Sequence, residues 1–170
     1  FLNQYPIVGG RILYSAADNV STKGSFTLSV DARPVTHSYG GIPPAWDDSR
    51  VAFVNYLYGK LTVCDSDKVI QQIQTPRDAS KPQRGRRTLA DDLTSGGAVR
   101  WQTDLGESNK FSALSMAVCQ NAVVAVVQQQ QKYRAQPQWY VVAFEKDSGK
   151  RMWQQELYAE PLPDGLLVDR

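Results

Sequence analysis

The chain has 170 residues, a formal net charge of +2 and a single histidine, which fits one domain. That charge is too small for a surface built to grip nucleic acid or an anionic membrane. The longest apolar run, Ala122 to Val127, is strand-sized and far short of the ~18 residues that span a bilayer.

No signal-peptide pattern opens the sequence, which leaves the compartment open. Two cysteines, Cys64 and Cys119, are too few for a disulfide framework. Each sits at a strand-like position and reads as a buried free thiol.

Strand formers fall in short bursts between Gly, Pro, Asp, Asn and Ser. No stretch of about twelve residues keeps an uninterrupted helical apolar spacing, so the pattern predicts an all-β fold. "YPIVGGRILYSAA" predicts a strand entering at Ile7, a Gly9-Gly10 turn and a strand from Arg11 to Ala16. In "SFTLSVDA", Phe26, Leu28 and Val30 share one face, and Thr27, Ser29 and Asp31 the other. "GGIPPAWDDSR" is turn chemistry, and the strand "VAFVNYLYG" follows it. "KLTVCDSDKVIQQIQ" predicts two short strands joined at Asp65-Ser66-Asp67.

Residues 75 to 88, "TPRDASKPQRGRRT", predict a loop holding five Lys or Arg. It has no aromatic for stacking and carries Asp78 among its positive charges, so it reads as a solvated insertion rather than a phosphate site. "AVRWQTDL", the connection "GESNK" and "FSALSMAVCQNAVVAVV" follow. Gln128 to Gln131 then begin a polar hairpin tip that runs through Pro137. "WYVVAF" and "RMWQQEL" are the last full strands, and "PLPDGLLVDR" starts another after a turn at Asp164-Gly165.

Two of these segments match. "TSGGAVRWQTDL" (94–105) laid over "KDSGKRMWQQEL" (146–157) puts Gly97 on Gly149, Trp101 on Trp153, Gln102 on Gln154 and Leu105 on Leu157, all 52 residues apart. A self-match near this period marks a repeat architecture, and β-rich units point to a propeller. The glycine suits a left-handed turn position. The Trp on the outgoing strand is expected to fill the gap between adjacent sheets in both copies. Sheets stacked face to face also account for continuous apolar strands such as Ala122 to Val127 and Tyr140 to Phe144.

A hydrophobic strand, an acidic turn, Ser/Thr-Gly-Lys and then Trp resembles the repeat of the PQQ-like (quinoprotein-like) β-propellers. "WYVVAFEKDSGKRMWQQEL" is the better copy. "LTSGGAVRWQTDL" departs from the pattern at Ala98, where Lys is usual. The resemblance covers most of residues 43 to 170. It implies a partial propeller of about three blades, mostly four-stranded and antiparallel, whose ring does not close. The implied division is an eroded N-terminal blade or entering strands over 1–42, a blade with the basic insertion over 43–105, a blade over 106–157, and the start of the next over 158–170. The structural repeat positions are Gly97, Trp101, Leu105, Gly149, Trp153 and Leu157.

Two functions are compatible with such a frame. One is a non-catalytic scaffold segment of a longer, extracytoplasmic bacterial protein. Its partners would be the remaining blades and a protein bound at loops 33–48, 75–88 and 128–138, with no nucleic acid and no membrane insertion by this segment. The other is a piece of a PQQ- and calcium-dependent dehydrogenase whose active-site residues lie elsewhere. For that enzyme the carboxylate pairs Asp47-Asp48, Asp65/Asp67 and Asp91-Asp92 read as turn solvation, and the two cysteines lie 55 residues apart rather than adjacent.

No catalytic, cofactor-binding or metal residue is therefore assigned, and no cofactor is expected under the scaffold reading. His37 beside Ser38 reads as a solvated loop histidine. One His with two distant Cys cannot close a zinc site. The pairs Gly9-Gly10, Gly40-Gly41 and Gly96-Gly97 make no phosphate loop. Trp46, Trp101, Trp139 and Trp153 read as packing groups rather than sugar platforms.

Overall fold

Short strands punctuated by turns can satisfy their backbone groups only by pairing with neighbours, and here strands consecutive in sequence pair within each sheet. The computed structural model describes residues 7–9, 12–17, 25–30, 38–40, 45–55, 60–74, 93–105, 111–129 and 136–161, with the backbone alone for the first four strands and for 53–55 and 73–74. Three four-stranded antiparallel meanders result. The first sheet holds β1 (Ile7–Gly9), β2 (Ile12–Ala17), β3 (Ser25–Val30) and β4 (Ser38–Gly40). The second holds β5 (Ala45–Trp46), β6 (Arg50–Asn55), β7 (Lys60–Asp65) and β8 (Val99–Asp104). The third holds β9 (Phe111–Val118), β10 (Ala122–Gln129), β11 (Gln138–Glu145) and β12 (Arg151–Leu157). The strand β10 reaches Gln129, so the expected hairpin tip begins later than Gln128.

One element corrects the all-β expectation. The segment after Asp65 is a helix, α1 (Ser66–Gln74), and not a second short strand. Asp65 accepts a hydrogen bond from the backbone N–H of Lys68, three residues on, which is how a side chain caps a helix start. Asp67 adds negative charge to the first turn, where the helix dipole favours it. Asp65-Ser66-Asp67 therefore opens a helix rather than turning a hairpin. At nine residues the helix is shorter than the twelve-residue window in which its periodicity would be sought. Val69 is fully buried, and α1 lies beside β3, β6 and β7. The described residues are mostly β, with α1 and the helical residues 93–95 between β7 and β8.

Among the described residues, a hydrophobic core lies between the second and third sheets. Ala45, Ala52, Leu61, Val63, Trp101 and Leu105 from the second meet Ala113, Val123, Ala125, Val127, Val142 and Phe144 from the third. The strand β10 is buried on both faces: Val123, Ala125 and Val127 join this core, while Val124 and Val126 on the opposite face are also buried. At about 25 cal/mol per Å² of apolar surface removed from water, this contact is the main stabilising term joining the two sheets.

Candidate functional site

The seam between the second and third sheets is built around Trp101. Its indole, on β8, is 9% exposed. Nε1–H donates to the backbone carbonyl of Lys146 at 2.8 Å. The ring lies 6.1 Å from that of Phe144, tilted by 41°, at a separation typical of favourable aromatic pairs. It also covers Gly149, where an added Cβ would lie 2.5 Å from the ring. Gly149 has φ of 72°, a left-handed conformation that closes the turn from β11 to β12. Its N–H reaches back to the carbonyl of Glu145, leaving the Lys146 carbonyl to accept the indole. A large flat side chain of one sheet is thus seated on the last turn of the next.

The two sheets repeat each other residue by residue. In the second, Ala45 pairs with Ala52, Ala52 with Val63, and Val63 with Trp101. In the third, Ala117 pairs with Val124, Val124 with Ala143, and Ala143 with Trp153. The register slips just after this row in both sheets, between Val63 and Cys64 and between Ala143 and Phe144, so Arg100 and Met152 are the extra residues of equivalent bulges. Turn bonds coincide too. Asp47 N–H donates to the Arg50 carbonyl as Cys119 N–H does to Ala122. Ser66 N–H donates to Ser49 as Lys146 does to Asn121, and Asp65 to Ala98 as Glu145 does to Lys150. Gly97, with φ of 68°, holds the position of Gly149.

Charged groups rim the seam. Asp47 Oδ1 accepts from the N–H groups of Ser49 and Arg50, both at 2.8 Å, fixing the turn between β5 and β6. Its Oδ2 accepts from the Lys146 ammonium. Arg50 Nη2 donates to Asp147 Oδ1 at 2.7 Å. The first turn of the second sheet is thereby cross-linked to the last turn of the third by two ion pairs. Burial works against the Asp47 carboxylate, but Lys146, the two N–H groups and the Ser49 hydroxyl together outweigh it and hold its pKa below the usual range. Burial also opposes ionisation of Asp65, which Arg100, the Lys68 N–H and Arg50 nonetheless hold low. Arg50, Lys146 and Asp147 are not among the sequence candidates, and Asp47 enters there only as one of a pair of turn carboxylates. "DDSR" signalled only a turn, and nothing local shows that it faces another turn 97 residues on.

The six repeat positions divide. Gly97 and Gly149 are left-handed turn residues, and Trp101 and Leu105 lie in the core. Leu157 is half-buried opposite Trp139. Trp153 is 48% exposed, so the expectation that both indoles fill a gap between sheets is corrected. It has the strand position of Trp101, but it lies on the face turned away from the second sheet, and no further sheet among the described residues covers it.

Other candidates scatter. Cys64 is buried, and burial together with the Asp65 charge pushes its thiol up to about 12. Cys119 is only partly buried and lies in the turn between β9 and β10, which corrects its reading as a buried strand residue. Burial raises its pKa, with Lys146 opposing the shift and Asp47 adding to it. Both thiols are free. Trp46 and Trp139 are half-buried. His37, Asp91, Asp92, loop 75–88, most of loop 33–48 and the strand expected after Asp164 lie outside the described residues. Among the described residues no three His, Cys, Asp or Glu side chains gather as metal ligands. Asp47 and Asp65 are already engaged by Lys146 and Arg100, so these carboxylates do not fit a calcium and quinone site, and no chemistry is derived through one. No helix among the described residues is long and apolar enough to cross a membrane.

No protein-family model and no curated protein matches the sequence.

Proposed function

We propose that the chain is part of a PQQ-like β-propeller that serves as a non-catalytic scaffold for protein interaction. The observation that carries this reading is the seat of Trp101 on the Gly149 turn of the following sheet, with the same strand register repeated in both sheets. Successive four-stranded meanders, with an indole of one seated on the last turn of the next, suit units set around an axis. The remaining blades of a longer chain are the first partners. The connections expected within 33–48, 75–88 and 128–138 are the proposed contact region for a protein partner. Neither nucleic acid nor membrane insertion has a part in it. The family resemblance supports a location outside the cytoplasm of a bacterium.

The test is to supply the full-length polypeptide with PQQ and calcium and follow dye-linked oxidation of alcohols and sugars. The scaffold reading expects no turnover above the cofactor alone. Turnover abolished by a chelator would replace it with a quinoprotein dehydrogenase.

A further inference from the structure

The strand β12 ends the third sheet, and among the described residues no strand pairs with its far side. Arg151 to Glu156 are all exposed. A row of backbone N–H and C=O groups therefore faces water, and such a row is a template for another strand. The same edge carries the large apolar side chains that the described residues leave in water: Met152, Trp153 and, just beyond the strand, Tyr158. The second sheet guards its corresponding edge. The bulge residue on β8 is Arg100, which pairs with Asp65 at 3.0 Å, and Trp101 beside it is buried. A charge at such a place discourages edge pairing. In β12 the bulge residue is Met152, and that charge is gone.

We infer that β12 pairs edge to edge and antiparallel with β12 of a second copy of this chain, about a two-fold axis at Gln155. The strand is complementary to itself in this register. From Trp153 to Leu157 its pairing with β11 is free of bulges, so a regular ladder fits there. Trp153 comes opposite Leu157 of the second copy, Gln154 opposite Glu156, and Gln155 opposite its own copy. Beyond the ladder Met152 comes beside Tyr158, and Lys150 beside Glu160, all of them exposed. Apolar thus meets apolar and base meets acid, the cross-strand pairs that stabilise a sheet. Other centres lose this match. Centring on Gln154 sets Met152 against Glu156, and centring on Glu156 sets two carboxylates together. Centring on Trp153 sets Leu157 against the Gly149 turn. The contact is isologous and closes at two copies. It is short, so the dimer is weak and concentration-dependent. Only the edge is used and both faces of the third sheet stay free, so the inference goes beyond the scaffold reading and does not rest on it.

The test is sedimentation equilibrium of the 170-residue chain, with a reductant present so that the free Cys119 thiol forms no bridge between copies. The chain should show a reversible monomer–dimer equilibrium. Gln155→Glu and Gln155→Lys each place two like charges at the axis, and each should weaken dimerisation about tenfold. An equimolar mixture of the two variants should regain the dimer, because opposite charges then meet at the axis. Residue 155 is exposed, so both variants should keep the circular dichroism of the parent chain. A parent chain still monomeric at about 1 mM overturns the proposal, and so do assemblies larger than a dimer. A variant that dimerises as the parent does overturns the register. Two weakened variants whose mixture stays monomeric overturn the two-fold pairing. Each of these results leaves the Trp101 seat and the scaffold reading as they stand.

Discussion

At the scale of single residues, two glycines with nearly the same backbone separate strain from packing. Gly97 and Gly149 have φ of 68° and 72°. A Cβ on Gly97 would meet nothing within 4 Å, whereas one on Gly149 would meet the Trp101 ring. Gly97→Ala should therefore cost only the left-handed backbone term, about 1–2 kcal/mol, and Gly149→Ala clearly more, because the indole has to move. Urea midpoints of the two variants measure the difference.

The two indoles make a second pair. Trp101→Ala opens a cavity in the seam and orphans the Lys146 carbonyl, for an expected loss of about 3–5 kcal/mol. Trp153→Ala in the 170-residue chain should cost under about 1 kcal/mol, as exposed positions do. The thiols differ in the same way. Cys64, buried with its pKa pushed up to about 12, should resist a thiol reagent until the protein unfolds, while the partly exposed Cys119 reacts in the native state. Stopped-flow labelling with a chromogenic disulfide separates the two phases.

At the scale of elements, the turn-to-turn ion pairs make the seam sensitive to acid. Asp47 has its pKa lowered in the folded chain. On acidification the unfolded chain takes up this proton near the ordinary aspartate value of about 3.9, while the native carboxylate still resists it. The unfolded state then holds more protons, so the stabilisation from Asp47 is full above that pH and is lost as pH falls through and below it. Asp47→Asn should thus lower the urea midpoint at pH 7, and the gap to the parent chain should narrow by pH 3. A gap independent of pH would assign Asp47 to the turn alone.

How far elements can be read from the sequence depends on whether their cause is local. β10 and β11 are legible because continuous apolar runs bounded by turn residues have few other uses. α1 is not, since the Asp65 cap and a nine-residue helix look the same as a hairpin turn and a short strand when only alternation is inspected. The exposure of Trp153 is likewise illegible, because the segment around it is written like that around Trp101 and the difference lies in what covers it.

At the scale of the whole molecule, the repeat is more regular in space than along the chain. The two indoles are 52 residues apart, whereas the first-turn residues Asp47 and Cys119 are 72 apart, and Asp65 and Glu145 are 80 apart. The hairpin between β10 and β11 is longer than that between β6 and β7, and α1 with the residues after it lengthens the connection from β7 to β8. Insertions at loops leave strand register untouched, because loop length adds entropy only slowly. A search at one fixed period therefore finds the Gly–Trp segment and misses the first three strands of each unit.

The central claim is that the indole of one four-stranded unit is seated on the last turn of the next. A nuclear Overhauser cross-peak between the Trp101 ring protons and the Gly149 α-protons in the 170-residue chain tests it most directly. The account predicts a strong cross-peak together with slow exchange of the Trp101 indole N–H. No cross-peak, with Trp101 exchanging as freely as Trp153, would contradict it.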